Sequence, residues 1–223
     1  MDGSGYIVYG CAYYTSIERL SDDFYYSRGD GENATVINGH FNGKLFPDYF
    51  IEAPVFFKRN HLYYVLYGHC CCFCEQGSGI IVSTASSPMG PWTRHDGNLA
   101  CIPSNNKNEY QFRPKKLSSF YVEKGSATPG QGCLYNGSTD ISTTKAQQNF
   151  VIEIKYNEDN VERSMFVWTG DLWQQAPDNV KGHEGQFWAP LHFNEKGMIS
   201  NVKYIDQFDI PTINYEYYDD GAM

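Results

Sequence analysis

The sequence is short of positive charge, of long apolar runs and of helical periodicity. Lys plus Arg number 17 against 26 Asp plus Glu in 223 residues, for a formal net charge of −9. Phosphate backbones and anionic lipid surfaces are gripped by clustered Lys and Arg. Neither a nucleic acid nor a membrane is therefore expected as a partner. No apolar run approaches the roughly 18–20 residues that cross a bilayer as a helix. No stretch holds apolar residues at i, i+3, i+4 and i+7 over three turns. There is no Gly-x-Ser-x-Gly elbow. Gly77-Ser78-Gly79 is too short to cradle a dinucleotide without a following helix. The chain starts Met1-Asp2-Gly3-Ser4-Gly5, with no basic and apolar leader.

What is abundant is aromatic. Tyr 18, Phe 14 and Trp 4 make up 16% of the chain, and apolar residues 41%. Such content excludes a disordered chain. The length suits one domain of moderate size or two small ones. A chain of this size buries about 70% of its unfolded surface.

Seven cysteines occur, four of them in His69-Cys70-Cys71-Cys72-Phe73-Cys74. An odd count leaves at least one thiol unpaired if every disulfide is intramolecular. The run offers Cys72, Cys74 and His69 to a metal, but no second ligand pair follows downstream. A bridge between Cys101 and Cys133 would instead close a long loop, as in loop-rich secreted domains. Two glycosylation triplets, Asn33-Ala34-Thr35 and Asn136-Gly137-Ser138, also point to secretion. Cysteine catalysis lacks a marked partner base.

Short β-branched and aromatic runs alternate with turn residues. They predict strands over 5–10, 16–20, 53–58, 62–67, 80–85, 149–156, 164–169, 189–193 and 198–204. The connections Arg59-Asn60, Asn157-Glu158-Asp159-Asn160 and Asn194-Glu195-Lys196-Gly197 are good turn chemistry. A loose unit recurs over 55–67, 150–168 and 191–204: strand, charged tight turn, aromatic strand, irregular loop. The class is all-β, and the unit fits either a propeller blade or a sandwich hairpin. Residues 101–145 break the rhythm as one long irregular insertion in a single domain spanning 1–223.

Carboxylates, amides and aromatics are the candidates for chemistry. Glu52 stands before the apolar strand Ala53-Pro54-Val55-Phe56-Phe57. Pro54 is expected to bias Ala53 to an extended backbone. Apolar walls favour a protonated carboxyl, which suits a general acid. A solvated strand-end Glu has the same local sequence. Asp171 and Trp173 follow one aromatic strand, and Gln186 and Trp188 form a second cluster. Such groupings stack and hold sugars, or they simply cap a core.

In order along the chain, these segments resemble glycoside hydrolase family 43, in the branch that contains exo-β-1,3-galactanases. Asp2-Gly3-Ser4-Gly5-Tyr6-Ile7-Val8-Tyr9, followed by Arg19-Leu20-Ser21-Asp22-Asp23, is similar to a family Asp-Gly-x-x-Tyr-Leu strand and its sequel. Ile51-Glu52-Ala53-Pro54, with Tyr63-Tyr64 and Ser87-Pro88-Met89-Gly90-Pro91-Trp92, resembles the segment holding the general acid. Ala146-Gln147-Gln148-Asn149-Phe150-Val151 is similar to a Ser-Gln-x-Thr-x-Val strand. Gly170-Asp171-Leu172-Trp173 and Trp188-Ala189-Pro190-Leu191 match a Gly-Asp-x-Trp and Trp-x-Pro-Leu pair.

The resemblance implies an incomplete five-bladed β-propeller of about three to four blades. It implies a secreted, inverting glycoside hydrolase that removes β-linked galactose from galactan-type polysaccharide. Glu52 would be the general acid, and Gln147 would assist the attacking water in place of the usual aspartate. Asp171, Trp173, Gln186 and Trp188 would line or support the galactose subsite. The alternative is a non-catalytic carbohydrate-binding propeller or an inactive fragment of such an enzyme. The family's pKa-modulating Asp and first blades have no counterpart here, so a carboxy-terminal portion of a longer enzyme is expected. The partner is a polysaccharide or oligosaccharide, the expected state a monomer, and no cofactor or metal is implied. His183 is a poor candidate for the ion some family members hold.

Overall fold

The structure, a computed structural model, describes residues 3–11, 14–27, 35–39, 51–69, 77–95, 99, 101–103, 140–142 and 144–211. The cysteine run 70–74, Cys133, Asn33 and Ala34 of the first glycosylation triplet, the whole of the second triplet and most of the 101–145 insertion lie outside them.

Among the described residues twelve strands run in chain order: β1 Tyr6–Cys11, β2 Tyr14–Arg19, β3 Thr35–Gly39, β4 Ile51–Arg59, β5 Leu62–His69, β6 Ile81–Ala85, β7 Thr93–Arg94, β8 Cys101–Pro103, β9 Asp140–Ser142, β10 Gln147–Glu158, β11 Val161–Asp171 and β12 Gln186–Pro190. Among the described residues the helical structure is one 3-10 turn, Lys181–His183. Every ladder is antiparallel between strands consecutive in sequence. The sheets are β1-β2-β3, β4-β5-β6-β7, β8-β9 and β10-β11-β12. Up-and-down sheets stacked in chain order are blades of a propeller, and the chain is an incomplete one.

Burial explains why the strands read differently. One core cluster joins Val55, Tyr64, Leu66, Ile80 and Val82 of the β4–β7 sheet region to Val151, Phe166, Trp168, Phe187 and Ala189 of the β10–β12 sheet. A second cluster joins Ile17 of β2 to Val65, Tyr67 and Ile81. The middle sheet is therefore covered on both faces. Its β6 strand is buried at every position, and β5 is buried without a break from Tyr64 to Gly68. Side chains of a strand alternate between faces, so a strand buried on both sides loses the alternating pattern.

Turn chemistry fixes the long β10–β11 hairpin. Glu158 pairs with Val161 across two residues. Asp159 and Asn160 both take positive φ, 52° and 61°, as a two-residue turn of this hand needs. Asn60 does the same with φ 55° after β4.

Three expectations need correction. Residues 198–204 do not form a strand. Phe193 and Ile199 make one isolated bridge, while Ser200 N–H bonds to His192 and Val202 N–H to Leu99. The apolar side chains of Ile199 and Val202 enter the core, but among the described residues no ladder extends beyond that single bridge. The 101–145 insertion is not irregular throughout, because Cys101–Pro103 pairs with Asp140–Ser142 at its base. Ala53 is not extended: its φ is 49°. It lies in a bulge, where Ala53 and Pro54 together oppose the single residue between Leu66 and Gly68. Pro54 has no N–H to leave unpaired there.

Candidate active site

The site is built where the ends of β4, β10, β11 and β12 meet. Gln147 opens β10 and is only 7% exposed. It pairs with Asp171 on β11, and Asp171 pairs with Gln186 on β12. Directly opposed residues of an antiparallel ladder share a face. Gln147, Asp171 and Gln186 therefore form one row, running from buried to exposed. Glu52, half-buried at the start of β4, closes the row at its buried end: Gln147 Nε2 lies 3.5 Å from Glu52 Oε2. This is a long contact rather than a tight hydrogen bond.

Hydrogen bonds tie the outer half together. Asp171 Oδ1 accepts from Asn149 Nδ2 at 3.0 Å and from Gln186 Nε2 at 3.1 Å. Gln186 Oε1 in turn accepts from the Trp188 indole Nε1 at 3.1 Å. Trp188 is 41% exposed, so its ring is open to a ligand while its N–H is held. Phe150, two positions into the same exposed face, is also open. Aromatic rings beside fixed amides and a carboxylate can stack on a sugar and bond its hydroxyls.

Trp173 packs against a cation. Lys181 Nζ sits 3.0 Å from the centre of its ring, and its own indole N–H has no acceptor among the described residues. His183 is engaged elsewhere, bonding Asp178 Oδ2 through Nδ1 at 2.7 Å. That bond, followed by the Val180 N–H, holds the Asp178 carboxyl below its ordinary range. No group of three or more His, Cys, Asp or Glu that could hold a metal occurs among the described residues. No helix among them is long and apolar enough to cross a membrane.

Two side chains escaped the sequence reading. Asn149 is one, since its amide supports Asp171. The other is Gln148, whose polarity suggests a solvent-facing position but which is 1% exposed. Gly77-Ser78-Gly79 packs against the residue that precedes Gln147: Ser78 N–H donates to the Ala146 carbonyl at 3.2 Å.

A GH43 β-1,3-galactosidase bound to galactodeoxynojirimycin superposes at a TM-score of 0.57 and 17% identity, over 94% of this chain and 44% of that one. The fold is the one these glycosidases share. The exo-β-1,3-galactanase of Clostridium thermocellum matches at 0.51 and 15% identity, over 93% of this chain and 36% of that one. The Phanerochaete chrysosporium exo-β-1,3-galactanase, solved with β-1,3-galactotriose as a Glu-to-Gln variant, matches at 0.51 and 18%, over 89% and 32%. The chain thus spans between a third and a half of the length of these proteins. No family model and no curated protein matches the sequence. The expected likeness to family 43 propellers is borne out in the fold.

Proposed function

We propose that the chain is the site-bearing part of a glycoside hydrolase that removes β-linked galactose from the end of a β-1,3-galactan. The observation that carries this is the meeting of Glu52 and Gln147, 95 residues apart in sequence, at the buried end of a polar and aromatic row. The fold shared with β-1,3-galactosidases and galactanases supports the substrate class.

In this reading Glu52 is the general acid and protonates the leaving glycosidic oxygen. Water attacks the anomeric carbon from the opposite face, and the configuration inverts. Inverting enzymes keep acid and water-activating group about 6.5–9.5 Å apart. The Gln147 amide, 3.5 Å from Glu52, must therefore part from it when a sugar enters. Gln147 then holds the water, and Asp171, Gln186 and Trp188 hold the ring. Trp173 acts as outer support rather than as a contact. The enzyme works as a secreted monomer, a reading motivated by the two glycosylation triplets. A glycan-free product of eukaryotic secretion would count against its secretory half, and a dimer in light scattering against its monomeric half.

The test is galactose release from β-1,3-galactan and aryl β-galactosides, with Glu52→Gln alongside. Turnover should fall at least about 100-fold in the variant, as expected when a positioned acid is lost. Equal turnover would remove Glu52 from the mechanism.

A second reading is carbohydrate binding without hydrolysis. The direct Glu52–Gln147 contact favours it, because an acid held by a neutral amide can recognise a hydroxyl without reacting. Galactan binding by calorimetry, with no galactose released, would select it.

A further inference from the structure

We infer that Gln148 is the positioning residue of this site, acting on Glu52 through the backbone of Ala53. The inference rests on the proposed role of Glu52. Gln148 is fully buried, and its carboxamide directs three of its four hydrogen-bonding positions toward different strands. Its Nε2 donates to the Ala53 carbonyl on β4 and to the Leu66 carbonyl on β5, both at 2.6 Å. Its Oε1 accepts from Trp168 Nε1 on β11 at 3.2 Å.

Ala53 explains why such a staple is needed. Its φ of 49° is left-handed, a region that an alanine enters only at a cost. Pro54 adds a further restriction, since it disfavours compact conformations in the residue before it. Left to itself, Ala53 would relax to an extended backbone. Relaxation would turn its carbonyl away from Gln148 and swing the adjoining Glu52. In the observed bulge the carbonyl is captured instead. Glu52 and Val55 then pair across β5 with one extra residue between them.

The placement of Gln147 ties both sides together. Gln147 faces Glu52 while its neighbour Gln148 grips the residue after Glu52. Adjacent residues of one strand thus set both the acid's backbone and its side-chain contact. Gln148 itself is too buried to touch a sugar, so it acts only through Ala53.

The test uses the 223-residue chain with Gln148→Met, which removes both donors at similar volume, and Ala53→Gly, which adopts positive φ freely. In Gln148→Met, kcat on an aryl β-galactoside should fall about 10–100-fold with KM little changed, the scale of a roughly 1 Å misplacement. Adding Ala53→Gly should recover most of the loss, because glycine holds the bulge without the staple. A melting-temperature drop with kcat unchanged would overturn the inference, and so would a loss that Ala53→Gly does not rescue. If Gln148→Met does not fold, Gln148→Glu, which keeps the shape and one donor when protonated, is read in the same way. If the wild-type chain releases no galactose, the enzymatic reading fails by itself. The 13C resonance of the Glu52 carboxyl then decides: moved by Gln148→Met and restored by Ala53→Gly, it upholds the positioning role, and unmoved, it ends it.

Discussion

Replacing Gly77 by alanine should cost far more than an ordinary loop substitution. Two effects add. Gly77 has φ 78°, where a Cβ costs about 1–2 kcal/mol. The added Cβ would also fall 2.5 Å from Ala146 N and 2.7 Å from Ala146 O. Those are backbone atoms, so no rotamer change relieves the overlap, and forced overpacking costs about 1–3 kcal/mol. Together the loss is about 2–5 kcal/mol, against a typical total stability of about 5–15 kcal/mol. For a chain of this size each kcal/mol moves the melting temperature by about 2–4 °C. Gly3→Ala supplies the control. Gly3 has φ 75° but nothing within 4 Å of its Cβ direction, so it carries the backbone cost alone. The assay is thermal unfolding of both variants, with galactose release measured in parallel. Gly77→Ala should also lower turnover, because the Ala146 backbone it pushes on leads directly into Gln147 at the start of β10. Equal melting temperatures for the two variants would refute the reasoning, since the clash is present at buried Gly77 and absent at exposed Gly3.

Tyr64→Phe probes the core from its polar side. The buried hydroxyl donates to the Gly197 carbonyl at 2.7 Å, so its loss should cost about 1–3 kcal/mol by chemical denaturation at neutral pH. Burial raises the Tyr64 hydroxyl above its ordinary value of 10.0, opposed in part by Arg59. The folded state then keeps its proton longer than the unfolded state, and stability declines as pH rises past about 10; the Phe variant should lose that part of the alkaline slope. Asp171→Ala removes the acceptor shared by Asn149 and Gln186, and should cost about 1 kcal/mol or less in stability because the pair is exposed while lowering turnover at least tenfold. Trp188→Ala should weaken galactan binding about tenfold, or about 1.4 kcal/mol by calorimetry, with melting temperature nearly unchanged.

The parts of the fold legible in the sequence are those governed by neighbours. Asp159 and Asn160 announce the β10–β11 turn because both tolerate positive φ, and the hairpin around them follows. The pairing of Cys101–Pro103 with Asp140–Ser142 is not legible, because nothing local links strands some forty residues apart. Residues 198–204 mislead for the opposite reason. Ile199 and Val202 are buried, so the apolar signal is real, yet the N–H groups of Ser200 and Val202 find His192 and Leu99 rather than a strand. Among the site residues, Glu52, Gln147, Asp171, Gln186 and Trp188 are found together through motif order. Trp173 belongs to the same motif order, and Lys181 lies over its ring. Gln148 was invisible because a polar residue beside another polar residue reads as a solvated strand start. Only the presence of three partners from three strands makes it a core residue.

Two bulges account for how a sheet edge becomes a site. On β10, Gln148 pairs with Gly170 and Phe150 with Thr169, so Asn149 is the extra residue. Gln148 and Val151 are both buried though three positions apart, which strict alternation forbids. The extra residue shifts the phase. Without it, Phe150 would point into the core and Val151 toward solvent. With it, Phe150 joins Trp188 on the open face, and Asn149 is free to reach Asp171. On β4 the spacing is the same: Glu52 and Val55 are three apart, with Val55 in the core and Ala53 and Pro54 forming the extra step. Each bulge converts a core strand into a functional end over a single residue. The two are linked, because Gln148, just before the bulge on β10, bonds Ala53 inside the bulge on β4. The irregularities are therefore not local accidents of two strands. They are one coupled departure from the ladder, and Glu52 and Gln147 are the side chains it brings face to face.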